Sequence, residues 1–225
     1  MKPADAGYGG RHHTSRITRR TWLTGDTFIL ALARPANFRF KAGQRIRILL
    51  KQHQRDYSLI PGDTEDELCL LIRRVADGIV SLALGECPLE SPLTFEGPAG
   101  HFIYRPSPRP AVFIATGTGI APFAAMCREG TKGFILCHGV RFPEDLYFRE
   151  WVEKAARQYV PCLSGDAPSR PPGIFKGYVT TYLREQMPAG DYDFYLAGRR
   201  DMIADAIGII DQTFPTSRVY SEIFY

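Results

Sequence analysis

Between residues 15 and 96 the apolar residues come in short runs, Trp22–Leu23, Phe28–Leu32, Arg45–Leu50, Tyr57–Ile60 and Leu68–Val75, with Gly25-Asp26, Ala42-Gly43 and Pro61-Gly62-Asp63 among the turn residues between them. Runs that short, at that spacing, predict the strands of a small antiparallel barrel. Beyond residue 110 the pattern changes. Ala111–Ala115, Gly133–Cys137, Tyr159–Leu163, Asp193–Leu196 and Arg218–Ile223 are apolar on both faces, as buried parallel strands are. Pro122–Arg128, Asp145–Gln158, Val179–Gln186 and Asp201–Thr213 lie between them with helical spacing. This alternation predicts a doubly wound five-stranded parallel sheet. The prolines of Arg105-Pro106-Ser107-Pro108-Arg109-Pro110 fit neither sheet nor helix, so residues 106–110 read as a linker between a barrel over 15–105 and an α/β domain over 111–225. Residues 1–14 lack periodicity and read as a mobile arm in which His12 and His13 are solvated.

A chain of 225 residues with 44% hydrophobic content has enough apolar material for two cores, which agrees with that division. The sequence lacks the long apolar run of a membrane span or a secretory leader, and a cytoplasmic location is expected. Cys69, Cys87, Cys127, Cys137 and Cys162 lie mostly in apolar runs and read as buried thiols; their spacing offers no iron–sulfur or zinc ligand set. Residues 1–60 hold twelve Lys and Arg against three Asp, so a net charge of +4 conceals a basic front and an acidic remainder. A basic front suits an acidic partner, and a plain solvated face would look the same. Nothing points to nucleic acid or to a membrane.

Thr116-Gly117-Thr118-Gly119-Ile120-Ala121-Pro122 follows the first buried run and opens a helix. Glycines there let backbone approach a pyrophosphate, and a helix start offers free N–H groups, although a tight structural turn would read alike. In the barrel half, Arg55 and Tyr57 of Arg55-Asp56-Tyr57-Ser58-Leu59 share one strand face, a guanidinium for a diphosphate beside a ring for a π-system. Ser58 faces the other way unless the strand ends there.

With these motifs in order, the chain resembles the ferredoxin–NADP reductase superfamily from about Thr14 to Tyr225. The matching residues are R-x-Y-S at Arg55, Tyr57 and Ser58; G-x-x-S-x-x-L at Gly78, Ser81 and Leu84; and G-P-x-G-x-F at Gly97, Pro98, Gly100 and Phe102. In the second half they are G-T-G-I-A-P at Gly117 to Pro122, G-V-R at Gly139 to Arg141 with an acidic helix start at Asp145, and Y-L-x-G-x-x-x-M from Tyr195 to Met202. The resemblance implies a flavin-binding barrel followed by an NAD(P)-binding domain. Hydride would pass from NADH or NADPH to the flavin, and single electrons onward to a ferredoxin, a flavodoxin or an oxygenase component. FAD is the implied flavin and FMN the alternative. Arg55, Tyr57, Ser58, Leu59, Arg73, Gly78, Ile79, Val80 and Ser81 would hold it, with Phe224 or Tyr225 covering the ring and Ser58, Glu222 and Tyr225 closest to the chemistry. Ser81 would equally serve as a plain N-cap. Thr116, Gly117, Thr118, Gly119, Pro122, Arg141, Ser164, Asp166, Ala197, Gly198, Arg199 and Met202 would hold the coenzyme.

Two departures from the family pattern matter. Ala197 stands where relatives place a cysteine, and the Ala197-Gly198-Arg199 form resembles free-flavin reductases, one alternative function; a non-catalytic electron-conduit subunit is another. Ser164 is followed by Gly165 and Asp166 where NADP-preferring relatives commonly have arginine, so NADH is expected to be preferred. Arg170, Arg199 and Arg200 keep NADPH in view.

Overall fold

A computed structural model of the chain describes residues 12–62, 64, 66–166 and 173–224. It divides into two compact units, Met1–Ile103 and Tyr104–Tyr225.

The first unit is a closed barrel of β1 (His12–Trp22), β2 (Thr27–Ala33), β3 (Arg45–Leu50), β4 (His53–Pro61), β5 (Glu67–Arg73) and β6 (Pro92–Ala99), in the order β1-β2-β5-β4-β3-β6, with helix α1 (Ile79–Glu86) between β5 and β6. Antiparallel registers place Phe28 opposite Ile72, Leu30 opposite Leu70 and Leu32 opposite Leu68, and these side chains fill the interior with Ile46, Ile48 and Phe95. Val80 and Leu84 of α1 join the same core. Of these six strands, β6 was not among the expected runs, and β1 was represented there only by its last residue, Trp22. In β1 only Ile17 is fully buried, and the strand is held through its backbone, paired with β2 on one side and β6 on the other. His12, His13 and Thr14, read as part of a mobile arm, open this strand opposite Glu96, Phe95 and Thr94; the rest of the arm lies outside the described residues.

The second unit is a parallel sheet in the order β10-β9-β8-β7-β11-β12. Its strands are β7 (Ala111–Thr116), β8 (Ile135–Val140), β9 (Gln158–Leu163), the two-residue β10 (Phe175–Lys176), β11 (Asp193–Arg199) and β12 (Arg218–Phe224). Helices α2 (Ala121–Arg128), α3 (Arg149–Ala155), α4 (Val179–Glu185) and α5 (Arg200–Thr213) connect them. The five expected strands are present, and β10 adds a sixth to the edge. Phe113 stacks on Phe123 at 4.6 Å and on Phe134 at 4.4 Å between ring centroids, joining α2 to the sheet. The helix expected over Asp145–Gln158 is shorter. Phe148 takes a left-handed conformation (φ 56°) that a helix interior excludes, so α3 starts only at Arg149. Asp145 consequently is no helix start: it is buried in a 3-10 turn and accepts a 2.8 Å hydrogen bond from the Tyr147 hydroxyl. At the far end, Gln158 pairs with Ile135 and already belongs to β9.

The proline-rich segment is fastened to the second unit. The Ser107 hydroxyl donates to Asp193 Oδ2 at 2.5 Å, the Arg109 guanidinium to the Thr216 carbonyl at 2.6 Å, and the Asp193 amide to the Pro110 carbonyl at 3.1 Å. Among the thiols, Cys69, Cys137 and Cys162 are buried, whereas Cys87 and Cys127 are only half-buried, because they sit where α1 and α2 end rather than inside a strand. No helix of the described residues is long and apolar enough to cross a membrane.

Candidate functional site

In the barrel unit the candidate flavin residues gather on β4 and the start of α1, which packs against β4. Tyr57 lies opposite Ile46 and Arg55 opposite Ile48, so both share one face of β4, on which Tyr57 packs partly against the barrel core and Arg55 is exposed. Tyr57 is half-buried, and burial pushes its phenol up to about 12 despite the opposing effect of the Arg55 charge. Ser58 lies within the strand and on its other face, opposite Arg45, and is buried. Asp56, next to it, is occupied by two arginines, Arg45 Nε at 3.1 Å and Arg47 Nε at 2.7 Å. Arg55 by contrast is exposed and enters no salt bridge among the described residues. A guanidinium left without a counter-charge on the face of a half-buried tyrosine fits an anionic ligand that also carries a flat ring.

The remaining barrel candidates divide. Leu59 and Val80 are core residues, so only their backbone faces a ligand. Arg73 is engaged by Asp26 at 2.9 Å. Burial raises Asp26, but hydrogen bonds from Thr27 and Thr24 and the Arg73 charge outweigh it and hold the carboxyl below its ordinary value. Gly78, not Ser81, is the N-cap of α1. The Ser81 hydroxyl instead donates to the Gly78 carbonyl at 3.1 Å and accepts from the Val75 amide at 3.4 Å, bracing the turn before the helix. Ile79, in the first turn, is half exposed.

In the α/β unit the strand order reverses between β7 and β11, and open α/β sheets bind ligands at such a point, beyond the carboxyl ends of the strands. The two glycine-bearing turns meet there. A Cβ on Gly119 would lie 2.3 Å from the Ala197 carbonyl oxygen and 2.8 Å from the Gly198 Cα; one on Gly198, whose φ is 141°, would lie 2.1 Å from Thr116 Oγ1. Only glycine fits at either position. The Arg199 amide donates to Thr116 Oγ1 at 3.2 Å and ties the turns together. Gly117 to Ile120 form a 3-10 turn, after which Pro122 enters the first turn of α2. Along the same edge, Ser164 bonds the Val140 carbonyl through its amide at 3.0 Å, and Arg141 and Asp166 are exposed. Glu222 is buried opposite Ala197, and Phe224 is half-buried opposite Arg199. Arg199 meets Asp201 at 3.2 Å where both are almost fully solvated, a contact of little energetic weight. Met202 packs into the core. Tyr225 and Arg170 lie outside the described residues.

Sequence reasoning missed His138. It is fully buried on β8, bonding the Gly117 carbonyl through Nε2 at 3.2 Å and the Tyr159 hydroxyl through Nδ1 at 3.3 Å. The only signal was a histidine inside an apolar strand ahead of Gly139.

The oxidoreductase FAD-binding domain family matches residues 14–104, and the oxidoreductase NAD-binding domain family matches residues 113–207. The chain belongs to the ferredoxin–NADP reductase superfamily. Its members of known name include ferredoxin–NADP reductase B of Sorangium cellulosum, 32% identical over 66% of this chain and 66% of that protein. The toluate 1,2-dioxygenase electron transfer component of Pseudomonas putida is 30% identical over 73% of this chain and 52% of its own length. The crystal structure of a cytochrome P450 reductase from Amycolatopsis superposes with a TM-score of 0.82 at 27% identity, over 95% of this chain and 70% of that one. The chain thus spans between about half and two thirds of the length of these two curated relatives. The barrel falls in the residues that the FAD-binding family matches, and most of the α/β unit in those that the NAD-binding family matches.

Proposed function

We propose that the protein carries electrons from a reduced nicotinamide coenzyme, through bound FAD, to a one-electron protein acceptor such as a ferredoxin-like protein or an oxygenase component. The observation that carries this reading is the fit of the chain to both cofactors, one in each unit: an Arg55 without a salt bridge among the described residues beside Tyr57, and glycine turns at the strand reversal that no side chain could share. FAD, when bound, supplies the exchange between two-electron and one-electron chemistry. Arg55 holds the diphosphate, Tyr57 gives the ring a flat, uncharged wall, and the first turn of α1 directs its amides outward. In the second unit the amides of Gly117 to Gly119 receive the coenzyme diphosphate, Ser164 and Asp166 border its ribose, and Ala197 and Gly198 leave room for the nicotinamide. Glu222 and Phe224 stand at the carboxyl edge of the same sheet.

The acceptor is acidic on this reading. A cavity of about 820 Å³ in the barrel unit is lined by Arg39, Lys41, Arg45 and His101 among others, in the half of the sequence where positive charge is concentrated. The relatives named above are a ferredoxin–NADP reductase, a dioxygenase electron transfer component and a cytochrome P450 reductase, which supports an electron-transfer protein as partner. Use of a reduced nicotinamide coenzyme and free thiols support a cytoplasmic location. The test is a purified protein with a flavin spectrum that oxidises NADH or NADPH with ferricyanide and also reduces an acidic ferredoxin, the latter falling steeply between low and physiological salt. Ferricyanide turnover without stoichiometric bound flavin would replace this reading with free-flavin reduction.

A further inference from the structure

His138 takes no part in the reading above, yet it is the buried titratable group in contact with the coenzyme turn. It sits on β8 opposite Ala115 of β7, while Tyr159 stands on β9, the next strand over. The Gly117 carbonyl can only accept, so the Nε2 that lies 3.2 Å from it carries the proton. Nδ1 is then an acceptor, and the Tyr159 hydroxyl 3.3 Å away donates to it. The result is a directed chain from β9 through β8 to the turn after β7, Tyr159 O–H to His138 to the Gly117 carbonyl. Burial lowers the imidazole pKa to about 4, against a smaller opposing effect of the Gly117 bond, so the ring is neutral in the working pH range and this tautomer persists.

Gly117 has φ of 52°, in the left-handed region that favours glycine. Across a planar trans peptide the C=O of one residue and the N–H of the next point in opposite directions. A carbonyl drawn inward to His138 therefore turns the Thr118 N–H outward. That amide lies in the first turn of the 3-10 segment, where no acceptor exists within the helix. We infer that His138 is a positioning residue for the coenzyme: its Nε2–H fixes the 117–118 peptide so that the Thr118 amide faces the coenzyme diphosphate. This rests on the proposed function, in that it takes the 117–119 turn as the diphosphate seat.

The amide nitrogen of glutamine reaches about as far as imidazole Nε2, and that of asparagine only as far as Nδ1. His138→Gln keeps a donor to Gly117 and His138→Asn does not. Both are compared with wild type by NADH and NADPH oxidation with ferricyanide and by calorimetric binding of NAD+ and NADP+. The expected result is a KM for the preferred coenzyme that rises about tenfold or more in His138→Asn while kcat moves less than about threefold, and that returns to within about threefold of wild type in His138→Gln, with calorimetric affinities moving in parallel. If His138→Asn does not fold, Tyr159→Phe carries the test. It leaves the imidazole in place but frees its tautomer, and should raise KM several-fold with kcat retained. Equal KM values in wild type and every folded variant, or losses confined to kcat, overturn the inference while leaving the proposed function standing. A wild type that neither oxidises nor binds either coenzyme overturns both.

Discussion

On β4 of the barrel, Arg55 and Tyr57 offer a ligand a charge and a ring, and the backbone behind them is consumed by pairing with β3. At the carboxyl ends of β7 and β11 the offer is reversed. Gly117, Gly119 and Gly198 present backbone with no side chain at all, and His138 and the Thr116 hydroxyl hold this backbone through hydrogen bonds. On the proposed function, the barrel unit would recognise its ligand mainly with side chains mounted on a rigid wall, and the α/β unit with main chain held from behind. The difference follows from the architectures. A closed antiparallel barrel satisfies its strand N–H and C=O groups internally, whereas a parallel sheet ends in a row of turns whose first amides are free. Deleting a side chain should therefore damage the barrel site, and adding one should damage the α/β site.

The largest effect tests the second half of that statement. Gly198→Ala combines a backbone region that L-residues avoid with a Cβ forced against Thr116, costs of about 1–3 kcal/mol each, for a loss of about 4 kcal/mol. Denaturant unfolding measures it. Gly208→Ala is the control: nothing lies within 4 Å of the added Cβ, the residue sits inside α5, and the variant should be more stable by about 0.5–1 kcal/mol. Equal effects at the two glycines would remove close backbone approach as the organising feature of this site.

The support from behind has a pH signature. The folded His138 pKa, about 4, lies below the ordinary value of 6.5, so the neutral ring contributes stability that is complete above about pH 6.5 and is lost as pH falls toward 4. Wild type should lose about 3 kcal/mol more than His138→Gln between those limits. Parallel stability curves for the two proteins would show that the imidazole charges without penalty and is not the buried, neutral support described.

Arg55→Ala tests the side-chain half. Loss of one charge-assisted contact costs about 2 kcal/mol, or about 30-fold in flavin affinity, with little change in the melting temperature of the apoprotein because Arg55 has no salt bridge to lose among the described residues. Arg47→Ala should show the opposite pattern: unchanged flavin affinity and a less stable barrel, since its guanidinium serves Asp56. Flavin released on dilution and measured by fluorescence separates the two.

How much of this was legible in the chain depended on where the determining contact lay. The α/β sheet could be read because five runs are apolar on both faces, and R-x-Y-S could be read because its residues are neighbours. β1 was obscured by its composition: one buried side chain, Ile17, among polar residues, with the strand held by backbone on both edges. The start of α3 was obscured because nothing in Phe148 itself announces a left-handed residue. His138 is separated from Gly117 by 21 residues, and its role exists only once β8 lies beside β7.

The smallest expected effect concerns coenzyme choice, and the structure alters how it must be tested. Preference for NADH was read from Ser164-Gly165-Asp166, and inserting an arginine at residue 165 is the obvious way to seek NADPH activity. That position cannot take one: a Cβ on Gly165 would lie 2.4 Å from the Arg141 carbonyl oxygen, and the Gly165 amide already donates to that carbonyl at 3.0 Å. A cation for a 2′-phosphate has to come from elsewhere, and the exposed residue 166 is the place to put it. Wild type should prefer NADH by about tenfold in kcat/KM, equivalent to about 1.4 kcal/mol. Asp166→Ala should reduce that ratio by removing the acid proposed to border the ribose, and Asp166→Arg should reduce it further by supplying a charge. Gly165→Arg should instead impair both coenzymes alike, because it moves the Arg141 segment rather than adding a contact. A wild type that prefers NADPH tenfold, or a Gly165→Arg variant that gains NADPH activity at no cost to NADH, would show that the 165–166 turn does not set coenzyme choice as backbone packing implies.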